Sequence, residues 1–329
     1  MAILVTGGAG YIGSHTVFEL INKGYDVIVI DNLATGFISA VNINAKFFEI
    51  DIHNEDALNR VFSKEKIDGV IHFAAFSQVG ESMANPLKYY YNNVSGTCTL
   101  LKCMLNNHIN NLIFSSTAAV YGMPEHELIT ETDATKPINP YGETKLAIEH
   151  MLAWAEQAYG LHYVALRYFN ACGAHPSASI GEAHDPETHL IPIILQVPNK
   201  QREKIFIFGD NYPTKDGTCI RDYVHVCDLA QAHILSLEYL KSTGKSDVFN
   251  LGNGEGFSVK QVVQIAEKVT EQPIPAVMAE PRLGDPAILV ASSRKAKAIL
   301  GWEPQYADMD TILKTAWNWH RLHPNGYKN

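Results

Sequence analysis

Ala2-Ile3-Leu4-Val5-Thr6-Gly7-Gly8-Ala9-Gly10-Tyr11-Ile12-Gly13 runs from an apolar segment through a glycine-punctuated turn into a helical pattern. A buried strand, a tight turn and the first turn of a helix fit these residues in that order. Gly7 permits the turn, Gly10 lets backbone N–H groups approach phosphate oxygens without a Cβ in the way, and Gly13 allows the helix to pack closely on the strand. Such a turn holds a pyrophosphate, so the stretch reads as one end of a dinucleotide site. Glycines also recur in turns for backbone reasons alone, and the surrounding sequence has to decide between the two.

A second apolar run, Asp26-Val27-Ile28-Val29-Ile30, ends in Asp31. An acidic residue there can accept hydrogen bonds from the adenosine ribose hydroxyls and repels a 2'-phosphate. No Arg follows in Asp31-Asn32-Leu33-Ala34-Thr35-Gly36, so the cofactor reads as NAD rather than NADP. An Asp that only caps a turn is the competing reading of Asp31.

Further strand-like runs appear at Phe47 to Asp51, Val70 to Ala74, Leu112 to Ser116 and Val164 to Arg167, separated by helical patterns. Alternation of this kind predicts an α/β fold, a doubly wound parallel sheet of Rossmann type with a smaller C-terminal α/β substrate domain. Ligands of such sheets bind beyond the strand carboxyl ends, where Gly7 to Gly13, Asp31, Asp51-Ile52, Phe73 to Ser77 and Ser115 to Thr117 converge. The alternation breaks after about residue 170 into a Gly/Pro/His-rich stretch, Ala171 to Pro192. We therefore expect a dinucleotide-binding domain over 1–170 and a substrate domain over 171–329, with about 224–251 returning to the first.

The chain has 329 residues, 46% of them hydrophobic, enough for a sizeable core. Its net charge of -9 disfavours nucleic acid or an anionic membrane as partner. No stretch approaches a membrane span, and no basic leader precedes the first strand, which predicts a cytoplasmic protein. Cys98, Cys103, Cys172, Cys219 and Cys227 are odd in number and scattered, so we expect reduced thiols and no metal site. Asn93-Val94-Ser95 matches a glycosylation acceptor, which in such a chain carries no weight.

Tyr141 and Lys145 stand four apart at the start of a helical segment that follows Pro140, so both project from one face. Ionising a phenol near neutral pH requires roughly 4 kcal/mol. An ammonium at ~4 Å supplies about that at an effective dielectric of 20, and a positive nicotinamide ring would add to it. The pair suits a general base for an alcohol proton. Spacing alone equally describes a solvated helix face. Position favours chemistry, because Ser115-Ser116-Thr117 ends the fifth strand at the same crevice.

Through Thr6-Gly7-Gly8-Ala9-Gly10-Tyr11-Ile12-Gly13, Ser115-Ser116-Thr117 and Tyr141-Gly142-Glu143-Thr144-Lys145, the chain resembles the extended short-chain dehydrogenase/reductase family. Val79-Gly80-Glu81-Ser82, Leu166-Arg167-Tyr168-Phe169-Asn170, Gly173-Ala174-His175-Pro176, Gly217 to Val226 and Arg282-Leu283-Gly284-Asp285 extend the likeness to the family's nucleotide-sugar epimerases. That resemblance implies inversion at C4 of a UDP-hexose, interconverting UDP-galactose and UDP-glucose with bound NAD. Tyr141 would be the base, Lys145 its electrostatic partner and Thr117 the hydrogen-bonding partner of the reacting sugar hydroxyl.

The resemblance also implies cofactor contacts at Gly7, Gly10, Tyr11, Ile12, Gly13, Asp31, Asn32, Asp51, Ile52, Phe73, Ala74, Ala75, Asn92, Ser115, Tyr141, Lys145 and Tyr168. Some members carry a lysine where this chain has Ser77, which removes a cationic contact to the cofactor ribose. Asn170, Leu190, Phe206, Phe208, Arg221, Arg282 and Asp285 fall on UDP-binding positions, and the chemistry agrees: guanidinium forks suit a diphosphate and aromatic walls cover a uracil. Read without the family, Arg221-Asp222 is a surface ion pair, and Phe206 and Phe208 are one face of an ordinary strand. Leu289 aligns with the position that gates the sugar C2 substituent, where a residue smaller than Tyr implies room for N-acetylated UDP-hexosamines. A 4,6-dehydratase of this family would carry an Asp-Glu pair after the Thr, where this chain has Ala118-Ala119. A non-catalytic NAD sensor would have no use for Thr117, Tyr141 and Lys145 together. Family members pair through two helices, here Leu87 to Asn106 and Tyr141 to Ala158, which implies a homodimer.

Overall fold

Val5, Leu4 and Ile3 are wholly buried in β1 (Ala2–Thr6), which has a parallel neighbour on each side. On one side lie β2 (Asp26–Asp31) and then β3 (Lys46–Glu49); on the other, β4 (Ile67–His72) and β5 (Asn111–Thr117). The strands His162–Tyr168 and Asp247–Leu251 complete a seven-stranded sheet in which every pairing is parallel. Order reverses between β1 and β4, which opens the crevice at their carboxyl ends. The computed structural model describes residues 1–282 and 285–327.

Covered faces explain the nearly continuous apolar strands. One face packs Val17 and Leu20 of α1 (Tyr11–Asn22) and Leu229 and Leu237 of the helix Val226–Thr243 against Val5, Ile71 and Val164. The other packs Leu58, Leu100, Met104 and Leu152 against Leu4, Val70 and Leu112. The segment expected to return to the first domain from about residue 224 opens in a short strand, Tyr223–His225, beside Asn170–Cys172, and its helix begins at Val226. The segment from Leu87 is a helix, Pro86–Tyr89, continued through a π turn, Tyr90–Ser95, into Gly96–Asn106.

The rest of the chain builds small sheets above the crevice. Ile220–Arg221 pairs with Phe257–Ser258 and with Ile288–Ala291, which in turn pairs with Leu128–Ile129 from the first half of the chain. Ile205–Phe208 pairs with Ala276–Ala279 and buries Ile205 and Ile207 in a separate apolar core. Among the described residues, no helix is long and apolar enough to cross a membrane.

Candidate active site

The glycine turn is sterically closed to side chains. Gly7 has φ +74°, and a Cβ there would fall 2.6 Å from the Ala74 nitrogen, which fixes β1 against the loop after β4. A Cβ on Gly13 would fall 2.1 Å from the Gly7 carbonyl oxygen. Gly10 caps α1, and among the described residues no side chain caps it and no acidic residue stands in its first turn. Backbone donors at Tyr11 and Ile12 therefore face the crevice with the positive end of the helix dipole. This is an uncompensated anion cradle, and it fits the pyrophosphate of a dinucleotide. The Tyr11 side chain points elsewhere: its hydroxyl donates to the Gly173 carbonyl at 2.6 Å and ties the turn to the chain beyond residue 170.

Asp31 ends β2 beside this cradle. Its carboxylate accepts from Ala9 N at 3.0 Å and Leu33 N at 2.8 Å, so backbone donors orient it toward the crevice. Burial holds its pKa above the ordinary range, while those N–H groups pull it back. Asn32 donates to Asp51 at 2.8 Å, bringing the ends of β2 and β3 together, and Ile52 is buried next to them. Phe73, Ala74 and Ala75 leave β4 at the reversal point, with the Phe73 ring against His233 at 4.6 Å. Asn92 donates to Asn93 from the π turn.

Sequence reading missed Asn93 and His72. Asn93 is wholly buried, accepts from Phe76 N at 2.9 Å, and donates to Phe76 O and to the Thr144 hydroxyl, both at 3.1 Å. It locks the loop after β4 to the helix Pro140–Tyr159. A buried Asn so occupied cannot accept a glycan, and its sequon pattern hid its structural role. His72 sits between the hydroxyls of Thr6 at 2.7 Å and Thr97 at 2.8 Å, and burial lowers its pKa to about 3. No local pattern distinguishes such a histidine from its neighbours.

The helix Pro140–Tyr159 starts where Asn139 accepts from Gly142 N at 2.8 Å and Pro140 takes the first position. Tyr141 and Lys145 share its inner face. Lys145, 2% exposed, donates to the Ser115 carbonyl at 2.8 Å, and its nitrogen lies 5.9 Å from the centre of the Tyr141 ring. The Ser115 hydroxyl bonds the Tyr168 hydroxyl. Thr117 accepts from Ala119 N at 3.1 Å, which fixes its side chain at the end of β5. Burial pushes the Tyr141 phenol up to about 12, with the Thr117 hydroxyl pulling it down. Burial lowers the Lys145 ammonium to about 7, opposed by Glu149. Sequence spacing put the ammonium beside the phenol; the structure also anchors it on β5, through the Ser115 carbonyl. Left to the chain alone, Tyr141 stays a neutral phenol.

Opposite this face stand the polar groups expected for a nucleotide. Arg221 lies 3.2 Å from Asp285 and donates to the carbonyls of Ile220 and Pro286. The Arg282 guanidinium stacks 4.2 Å from the centre of the Phe208 ring, and Asp285 N donates to Arg282 O in the same turn. Leu283 and Gly284 of that motif lie outside the described residues. Phe206 and Phe208 are exposed on one side of their strand, away from its core. Leu190 opens the helix Leu190–Leu195 and packs on that core. Asn170 donates to Asp222 O at 2.8 Å, beside Arg221. Asp222 itself is wholly buried, accepting from Asn253, Gly254 and Ala291, so the adjacent pair is no surface ion pair. Leu289 pairs with Arg221 in the sheet and packs against the cluster of Ala118, Val120 and Phe169 just past Thr117.

Residues 3–252 match the NAD dependent epimerase/dehydratase family. The chain belongs to that family. A UDP-glucose 4-epimerase from Halalkalibacterium halodurans is 58% identical over 327 residues, covering 99% of this chain and 98% of the relative. A crystal structure of a UDP-glucose 4-epimerase superposes with a TM-score of 0.98 at 55% identity, over 100% of both chains. Another, from Brucella ovis in complex with NAD, gives 0.94 at 48% identity, over 96% of this chain and 97% of that one. The family, the parallel sheet and the NAD cofactor expected from sequence all stand.

Proposed function

We propose that the chain acts as a UDP-glucose 4-epimerase, inverting C4 of a UDP-hexose. One observation carries the reading: Tyr141 and Lys145 meet Ser115 and Thr117 at the end of β5, two strands from the glycine cradle. NAD, when bound, supplies a reversible two-electron acceptor and the positive charge that the buried phenol lacks. Tyr141 would take the proton of the sugar 4-hydroxyl, which Thr117 orients, as the C4 hydride leaves for the bound cofactor, and would give it back to the same oxygen when that hydride returns to the opposite face of the ring. Lys145 stabilises the phenolate. Arg221 and Arg282 hold the diphosphate while the hexose turns about its linkage, so the reaction is redox neutral overall.

Ala118 and Ala119 follow Thr117 with no carboxylate, which leaves elimination of water without its catalyst. Leu289 lies between the Arg221 strand and the Thr117 turn, so the reading includes N-acetylated UDP-hexosamines as substrates. Leu87, Met83, Tyr91 and Trp154 expose apolar side chains on or beside the two expected pairing helices, which supports a homodimer. Cytoplasmic location fits the five free cysteines.

Conversion of UDP-galactose to UDP-glucose by the purified protein tests the assignment. Tyr141→Phe should cut kcat by on the order of 10²- to 10⁴-fold without changing the fold. A variant that kept most of its activity would falsify the role given to Tyr141.

A further inference from the structure

Glu182, His184, Glu187 and His189 lie in the stretch between the strand Asn170–Cys172 and the helix Leu190–Leu195. One ligand atom from each lies within 4.8 Å of the other three. His184 Nδ1 is 3.5 Å from a Glu182 oxygen and 3.2 Å from a Glu187 oxygen; His189 Nδ1 is 3.4 Å and 2.8 Å from oxygens of the same two residues. Tetrahedral coordination with bonds near 2.1 Å separates ligand atoms by roughly 3.4 Å. Imidazole and carboxylate from a short loop can reach that geometry with little movement.

A second observation points the same way. The Glu182 side chain is 3% exposed, and among the described residues no hydrogen-bond donor reaches its carboxylate. Among the described residues its ion-pair partners are the two imidazoles, at distances longer than a charge-assisted hydrogen bond, with the Glu187 carboxylate beside them. A buried carboxylate left in that condition costs several kcal/mol unless a cation meets it. Two carboxylates with two neutral imidazoles carry the charge that one divalent cation cancels.

We propose that these four side chains form a structural zinc site. Mixed nitrogen and oxygen donors in a closed four-coordinate set suit Zn²⁺ better than Mg²⁺ or Mn²⁺, which take more oxygen ligands. Its place in the fold gives it a role. His184 stands edge-on to the Tyr11 ring with centres 6.1 Å apart, Tyr11 opens α1, and Leu190 follows His189 directly. Zinc there pins the loop between the cofactor cradle and the nucleotide wall. The sequence signal is Glu-x-His-x-x-Glu-x-His, which a search confined to cysteines passes over.

Tag-free protein incubated with zinc sulfate and dialysed should retain about one zinc per chain by elemental mass spectrometry. Glu182→Gln and the double variant His184→Ala/His189→Ala should each lower retention by about tenfold or more. Co²⁺ in place of zinc should give the visible absorption of tetrahedral coordination in the unaltered chain only. Where a variant fails to fold, the unaltered chain decides by itself: zinc should raise its Tm and a chelator should reverse the rise. Equal zinc retention in the chain and its folded variants, or a Tm indifferent to zinc, overturns the proposal and leaves an ion-pair network closed by protons.

Discussion

The Lys145 ammonium is held 2.8 Å from the Ser115 carbonyl oxygen, so the helix bearing Tyr141 is fastened to β5 by the residue that also supplies its positive charge. Its nitrogen stands 5.9 Å from the centre of the Tyr141 ring, and a cation roughly 4 to 8 Å from a phenolate oxygen is worth about 2 to 4 kcal/mol at an effective dielectric of 20. Burial, which pushes Tyr141 up to about 12, is opposed but not overcome.

Lys145→Met should therefore do two things. Removing a cation raises the phenol's pKa, so the acidic limb of the pH–rate profile should move up by about 2 units. At neutral pH the rate should fall on the order of 100-fold, with recovery as the pH rises. An equal loss at every pH would show that Lys145 positions the helix and leaves the proton alone.

Behind the catalytic face, Glu149 and Arg167 form a buried pair. Arg167 donates to Glu149 through Nε at 3.0 and 3.2 Å and through a terminal nitrogen at 2.6 Å, and to Tyr121 at 2.9 Å. Tyr121 passes the chain on to Asn250 at 2.7 Å, in the strand Asp247–Leu251. Glu149→Gln leaves a buried guanidinium without its counter-charge and should cost about 3 to 5 kcal/mol in urea unfolding. The double variant Glu149→Gln/Arg167→Met should recover part of that loss. A single variant as stable as the unaltered chain would mean that water reaches the pair.

The first half of the fold was legible because its strands are buried on both faces and so read as continuous apolar runs, with a glycine spacing that fits a phosphate-binding turn between strand and helix. Asp31, Asn32 and Asp51 were placed for the same reason: a parallel sheet delivers its strand ends to one edge. Beyond residue 170, Arg221 and Leu289 come together from strands of two and four residues that carry no period to read, with Asp285 just ahead of the second. Four-residue spacing correctly put Tyr141 and Lys145 on one face but could not show that the ammonium turns to the Ser115 carbonyl. That choice depends on β5, brought in from 30 residues earlier. Asn93 was missed because its partners, Phe76 and Thr144, lie far off in sequence under a sequon pattern, and the Glu182 cluster because the metal search was confined to cysteines.

Leu289→Tyr probes the sugar pocket. Leu289 stands on the strand paired with Arg221 and against the apolar cluster beside Thr117, so a larger ring there narrows the space near the hexose. Activity on UDP-N-acetylgalactosamine should fall by on the order of 10-fold or more, with activity on UDP-galactose largely kept. Equal loss on both sugars, or on neither, would remove Leu289 from the selectivity argument.

Leu87, 78% exposed, and Trp154, 69% exposed, are large apolar side chains on the two expected pairing helices. Placing Glu at both positions should shift the protein from dimer to monomer in light scattering, since a desolvated unpaired charge opposes association by several kcal/mol. An unaltered chain that runs as a monomer at micromolar concentration would exclude the pairing outright.

Buried histidines set the acid limit of the fold. Burial lowers His15, His72 and His225 to about 3 and His233 and His320 to about 4. Below the ordinary histidine pKa of about 6.5, the unfolded chain binds protons at these sites that the folded chain refuses, so their contribution rises with pH and is complete above that value. Asp228, whose carboxyl burial pushes up, acts in the opposite direction, because the folded chain there keeps a proton that the unfolded chain has released. Five sites against one leave a net uptake of several protons on unfolding near pH 5.5, so stability is lost as the pH falls through that range. Urea midpoints should fall steadily from pH 7 to pH 5. His233→Leu removes a ring that is wholly buried and whose Nδ1 bonds only the Leu229 carbonyl among the described residues, and it should lower that slope by about one proton. Midpoints that hold constant or rise on acidification would show that these rings are protonated in the native state.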